Sequence, residues 1–191
     1  VKNLVVFASG SGSNFQAIID SIKEGRIQAT ITGLITNKAD IGAVERAKKH
    51  NIPVRVMETE PEHEFANNLL RQFEKWTPDF IILAGFLKKI PDVIIKKFPD
   101  RIINIHPSLL PKYGGKGFYG EHVHRAVIEA GETESGCTVH YVNEEYDQGD
   151  IIDQKKVPVL PGDTPDTLAE RILKQEHQLL PSVIKNLTNQ K

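Results

Sequence analysis

An asparagine and a histidine stand two residues apart in INIHPSLLPKYGG, residues 103–115. In a strand, residues two apart point to the same face. Asn104 and His106 therefore project together while Ile103 and Ile105 face the other way. Pro107 lacks an N–H and ends regular pairing, so the pair belongs at the C-terminal end of a strand, where open α/β sheets bind ligands. Two donors aimed from there can stabilise a developing oxyanion, and the histidine can also move a proton. The blander account is a mutually satisfied polar pair at a strand end.

Three further features could carry chemistry. ASGSGSNF, residues 8–15, puts a glycine-rich turn between an apolar run and a helical pattern. The exposed N–H groups and dipole of such a helix start attract anions. The third glycine of a dinucleotide fingerprint is replaced by Phe15 and no Gly-Lys-Ser/Thr follows, which leaves a single phosphate or an ordinary tight turn. In NEEYDQGD, residues 143–150, Asp147 could reach a histidine on a neighbouring strand and favour its charged form, though Asp and Gly are also ordinary turn residues. Glu176 falls on the apolar stripe of Leu168, Ile172, Leu179 and Val183, where a carboxylate needs a partner, a ligand hydroxyl or a route to water at the stripe's edge. His122 and His124 diverge on a helix, His140 shares a strand face with Thr138, and no HExxH or cysteine pair occurs, so no metal is expected.

The elements that position these residues follow from periodicity. The continuous apolar run at 4–8 reads as a strand buried on both faces. Phe15, Ile18, Ile19 and Ile22 then trace a helix face, with Ser13 and Gln16 as a capping box and Gly25 as the stop. Strands at 30–36 (weakened by Gly33), 53–57, 79–84 and 101–105 alternate with helices at 40–49, 61–75 and 91–97. This rhythm predicts a doubly wound α/β sheet with helices on both faces. Beyond a Pro- and Gly-rich stretch at 107–120, a helix at 121–130 precedes strands at 137–142 and 150–159. Their short connection makes them antiparallel and the sheet mixed, though mostly parallel. Thr164 and Pro165 start a last helix, with a bend expected at Pro181.

The bulk numbers fit one globular unit. The chain has 191 residues, 39% hydrophobic and 26% charged, with a net charge of -1. That balance offers no bulk attraction to nucleic acid or membranes, and no apolar run approaches the ~20 residues of a membrane span. The first residues are not a signal peptide by pattern. Cys137, the one cysteine, lies in an apolar alternation and reads as a buried thiol, which excludes an internal disulfide and suits the cytoplasm.

Taken together, SGSGSNFQAII at 9–19, LAGFLKKI at 83–90, INIHPSLLPKY at 103–113, GCTVHYVNEEYDQGDII at 136–152 and QEH at 175–177 resemble the folate-dependent glycinamide ribonucleotide formyltransferases. The resemblance runs over nearly the whole chain, in order. It implies a single formyltransferase domain over 1–191, with a nucleotide-binding-like half at about 1–100 and a folate and catalytic half at about 101–191. It implies 10-formyltetrahydrofolate as formyl donor and the amine of glycinamide ribonucleotide as acceptor, in purine synthesis. Asn104, His106 and Asp147 would be catalytic, with protonated His106 and Asn104 on the oxyanion and Asp147 keeping the imidazole charged. Gly10, Ser11, Gly12, Ser13 and Asn14 would hold the phosphate, and Gln175 and Glu176 the ribose. Leu87, Lys88, Lys89, Ile90, Asn104, Asn143, Glu144, Glu145, Tyr146 and Asp147 would line the folate pocket. No metal, nucleic acid or membrane is implied, and the protein would be a monomer or homodimer. The chain departs from the family at KYGGKGFYGEHVHR, where Gly114 replaces a proline and the loop is longer and glycine-rich.

Rival readings are a formyltetrahydrofolate hydrolase, a formyltransferase with another amine acceptor, and a folate- or nucleotide-binding module without catalysis. The first strand's early start and the short stretch after the last helix favour the ribonucleotide enzyme over the hydrolase and the methionyl-tRNA enzyme. All three members of the trio are present, which speaks against a non-catalytic module.

Overall fold

The computed structural model describes residues 1–190. Its core is a seven-stranded sheet. The elements in chain order are β1 (Lys2–Phe7), α1 (Ser13–Lys23), β2 (Ala29–Thr36), α2 (Gly42–Lys49), β3 (Val54–Val56), α3 (Glu62–Trp76), β4 (Phe80–Leu83), α4 (Asp92–Lys97), β5 (Ile102–His106), α5 (Glu121–Glu129), β6 (Glu134–Tyr141), β7 (Ile151–Pro158) and α6 (Pro165–Asn189). The strand order is β3-β2-β1-β4-β5-β6-β7. β1 to β5 pair in parallel, while β5–β6 and β6–β7 are antiparallel.

Both faces of the sheet are covered. Leu4 and Val6 enter one core with Phe15, Ile18, Ile103, Ile105 and the α6 residues Leu168, Ile172 and Leu179. Val5 and Phe7 enter the other with Phe65, Leu69, Phe73, Ile81 and Ile94. Each β1 side chain thus meets apolar partners whichever way it points, which is why its sequence is apolar throughout. Gly33 sits in β2 because the Trp76 indole occupies the space a Cβ would need.

One expectation changes. α1 has no capping box: its N-cap is Gly12 in the left-handed region at φ 75, with no side-chain cap. A Cβ on Gly12 would lie 2.7 Å from Ala43 Cα, so α2 leaves only glycine room there. The Gln16 amide turns instead to Asp20 Oδ1 and His50 Nε2. The capping box occurs at α6, between Thr164 and Thr167. There the helix stays a single 25-residue element with Pro181 inside it.

Candidate active site

β5 delivers Asn104 and His106 as its spacing requires. Ile103 and Ile105 go to the α6-side core. Asn104 and His106 open on the other face into a cavity of about 780 Å³ at the C-terminal end of β4 and β5. One wall consists of Leu87, Lys88, Lys89 and Ile90 with Asn143, Glu145, Tyr146 and Asp147; the cavity also reaches Asn14 and Glu176.

His106 is 4% exposed. Its Nε2 lies 2.7 Å from the Tyr113 carbonyl oxygen, to which it must donate. Its Nδ1 lies 3.5 Å from Asp147 Oδ1. Burial pushes the imidazolium down, and the pull of Asp147 and of the Tyr113 carbonyl does not restore it, so His106 ends below the usual histidine range. Desolvation thus opposes the charged ring that Asp147 favours.

Asp147 stands in the left-handed region at φ 55, a position asparagine and aspartate tolerate better than most side chains. Oδ2 accepts the Gly115 N–H at 2.9 Å. Oδ1 lies 3.5 Å from both His106 Nδ1 and His140 Nε2. Burial alone would push this carboxyl up, but His140, His106 and the Gly115 N–H outweigh it and hold Asp147 below the ordinary range.

β6 lies antiparallel to β5 with His140 opposite Asn104. His140 Nδ1 is 2.9 Å from the Tyr141 carbonyl, which requires an Nδ1–H. Its Nε2 lies 3.1 Å from Asn104 Nδ2 and 3.5 Å from Asp147 Oδ1, between the amide and the carboxylate. His140 and the Tyr113 carbonyl are thus parts of the site that sequence reasoning missed. The signal for His140 was the β5–β6 register, not a motif.

At the far end, Asn14 Nδ2 donates to Glu176 Oε2 at 2.7 Å. Burial pushes the Glu176 carboxyl above its usual range, with the Asn14 hydrogen bond opposing it. Asn14 Oδ1 is buried without a partner among the described residues. Ser13 faces a second, smaller hollow with Gln16, Arg46 and His177. Gly10, Ser11, Gly12 and Gln175 do not line the main cavity, nor does Glu144, which pairs with Lys96 at 3.1 Å. The turn's carbonyls are spent on α2: Gly10 O accepts from Ala43 N and Ser11 O from Arg46 Nε. Its N–H groups stand at the start of α1, where a helix leaves donors free.

Burial, with the charge of Glu176 adding to it, pushes the Cys137 thiol up to about 12, so it is no nucleophile. Among the described residues, no group of three or more His, Cys, Asp or Glu could hold a metal ion. No helix among them is long and apolar enough to cross a membrane.

Comparison with known proteins identifies the family. The formyl transferase family matches residues 2–184. The phosphoribosylglycinamide formyltransferase of Escherichia coli K12 is 39% identical over 185 residues, covering 95% of this chain and 85% of its own. The chloroplastic phosphoribosylglycinamide formyltransferase of Arabidopsis thaliana is 46% identical over 187 residues. That match covers 96% of this chain and 64% of the plant protein, so the chain spans under two thirds of that relative's length. The crystal structure of glycinamide ribonucleotide transformylase 1 from Symbiobacterium toebii superposes with a TM-score of 0.92 at 37% identity, over 98% of this chain and 88% of that one. With such coverage by the family and by a relative matched over most of its length, the chain belongs to the formyl transferase family, alongside the phosphoribosylglycinamide formyltransferases.

Proposed function

We propose that this protein transfers the formyl group of 10-formyltetrahydrofolate to the amine of glycinamide ribonucleotide, a step of purine synthesis. The observation that carries the reading is the convergence of Asn104, His106 and Asp147 on one cavity that also reaches Asn14 and Glu176. An apolar and lysine-bearing wall at 87–90, together with Asn143, Glu145, Tyr146 and Asp147, suits a flat heteroaromatic donor. A helix start at Ser13 and Asn14 with a buried acid beside it suits a phosphorylated ribose.

The amine attacks the formyl carbon, and its oxygen becomes an oxyanion. Asn104 and His106 are the donors for that charge, held in place before reaction. His106 reaches it when Nε2 is released by the Tyr113 carbonyl, so loop 111–120 has to give way as substrates enter. The negative charge of the intermediate then favours the imidazolium that burial disfavours in the free protein. Collapse breaks the bond from carbon to the folate nitrogen. The proton lost by the amine ends on that nitrogen, with Asp147 holding the relay. No covalent enzyme intermediate is needed.

Glu176 holds ribose hydroxyls, and Gly10, Ser11, Gly12, Ser13 and Asn14 the phosphate, with Gln175 beside them. Residues 1–191 act as one domain, as the continuous sheet supports. It works in the cytoplasm as a monomer or homodimer. The test is mass detection of formylated ribonucleotide after incubating protein with both substrates. Product that forms only when protein, donor and acceptor are all present supports the reading, and deformylated folate without it points to a hydrolase.

A further inference from the structure

The cavity wall at 87–90 lies between β4 and α4, outside any helix or strand. No ladder places its backbone, so other contacts must. Among the described residues, the backbone of 85–90 is tied to the rest of the chain at two points, and both lie on Ser9. Ser9 N donates to the Gly85 carbonyl at 3.0 Å, and Leu87 N donates to Ser9 Oγ at 3.1 Å. The hydroxyl in turn donates to Asn37 Oδ1 at 2.7 Å, just beyond the end of β2. Giving its one proton to Asn37 leaves its lone pairs for the Leu87 N–H. Between the two ties, the Phe86 ring packs edge-on against Phe7 with centroids 5.1 Å apart. Ser9 itself is 4% exposed and does not line the cavity.

Ser9 also leads into the turn at 10–14, but that turn has anchors of its own on α2. Gly10 O accepts from Ala43 N at 3.1 Å, and Ser11 O accepts from Arg46 Nε at 2.9 Å. Losing the Ser9 hydroxyl therefore frees the wall and leaves the turn in place. A binding site on irregular backbone is only as well placed as the hydrogen bonds behind it. We infer that Ser9 is a positioning residue for the formyl donor. Its hydroxyl, oriented by Asn37, holds the Leu87 N–H and with it the backbone of the wall that receives the donor. Donor affinity thus depends on a side chain that touches no ligand. This rests on the donor proposed above.

The test uses Ser9→Ala, with Asn37→Ala and Asn37→Asp as a second pair that reaches the hydroxyl from its other side. Thermal melts identify the variants that are folded at the assay temperature. Calorimetry then measures affinity for tetrahydrofolate, kept free of oxygen, and separately for glycinamide ribonucleotide. Ser9→Ala should bind tetrahydrofolate about tenfold more weakly, as expected for one lost hydrogen bond. Its affinity for the ribonucleotide should stay as in wild type. Asn37→Ala should show a smaller loss for tetrahydrofolate alone, and Asn37→Asp, which keeps an acceptor for the hydroxyl, should recover it. Unchanged tetrahydrofolate affinity in folded Ser9→Ala would overturn the inference. If that variant does not fold, unchanged affinity in Asn37→Ala would overturn it instead. An equal loss for both ligands would also overturn it, because Ser9 would then support the whole region and not the wall. Failure of wild type to bind tetrahydrofolate would overturn the functional reading, and this inference with it.

Discussion

Asn14 Nδ2 and Glu176 Oε2 meet at 2.7 Å across 162 residues of sequence, joining the start of α1 to the middle of α6. The contact explains how an acid can sit on an apolar helix stripe, and it leaves the carboxylate desolvated. Burial raises the Glu176 pKa above the usual carboxylate range. A raised carboxyl contributes stability below its unfolded pKa and loses it as pH rises. Glu176→Gln keeps an acceptor for Asn14 and removes the charge. Its melting temperature should match wild type near pH 4 and exceed it at pH 7. Its KM for glycinamide ribonucleotide should rise about tenfold or more, as for a lost hydrogen bond to a charged group. An unchanged KM would remove Glu176 from the ribose site.

His106→Ala should cut kcat by about 10²–10³, the usual cost of one oxyanion donor. Both KM values should stay within about threefold, because the interaction is made chiefly in the transition state. Steady-state kinetics on a variant with wild-type melting behaviour checks this. A loss under about tenfold would contradict the role.

Acid should destabilise the free protein. His106, His124 and His177 all have pKa values lowered first by burial. The unfolded chain binds protons at these sites more readily, so stability is lost as pH falls below the ordinary histidine value of about 6.5. Glu176 works in the opposite direction, one group against three. Thermal melts should therefore show a lower melting temperature near pH 5 than near pH 7. His124→Phe should show a smaller drop. A flat profile would mean that the three rings are less buried in solution.

Gly149 tests the placement of Asp147. A Cβ there would collide with the Tyr141 carbonyl, a backbone atom that cannot swing aside. Gly149→Ala must push the segment 143–149 off β6 and carry Asp147 from its contacts with Gly115, His106 and His140. Turnover should fall at least about tenfold, while calorimetry should find ribonucleotide binding at Glu176 little changed. Full activity in this variant would show that Asp147 need not be held where it is.

The parts legible in the sequence are those set by local pattern. β1 and β4 announced themselves as doubly buried strands, and the spacing of Asn104 and His106, closed by Pro107, placed both on one face at a strand end. What was not legible depends on distant chain. Ser13 and Gln16 carried a capping signature, but α2 packs on Gly12 and takes the N-cap. His140 is significant only because antiparallel pairing sets it opposite Asn104. The partner of His106 Nε2 is a backbone carbonyl, which leaves no mark in a sequence. The lowered pKa of His106 arises from burial, which the Asp147 pairing alone would have reversed.

The most direct measurement is the initial rate of 10-formyltetrahydrofolate deformylation, followed by absorbance with and without glycinamide ribonucleotide. The account predicts a rate that saturates in both compounds and vanishes without the ribonucleotide. Deformylation at the same rate in its absence, or none in its presence, would contradict it.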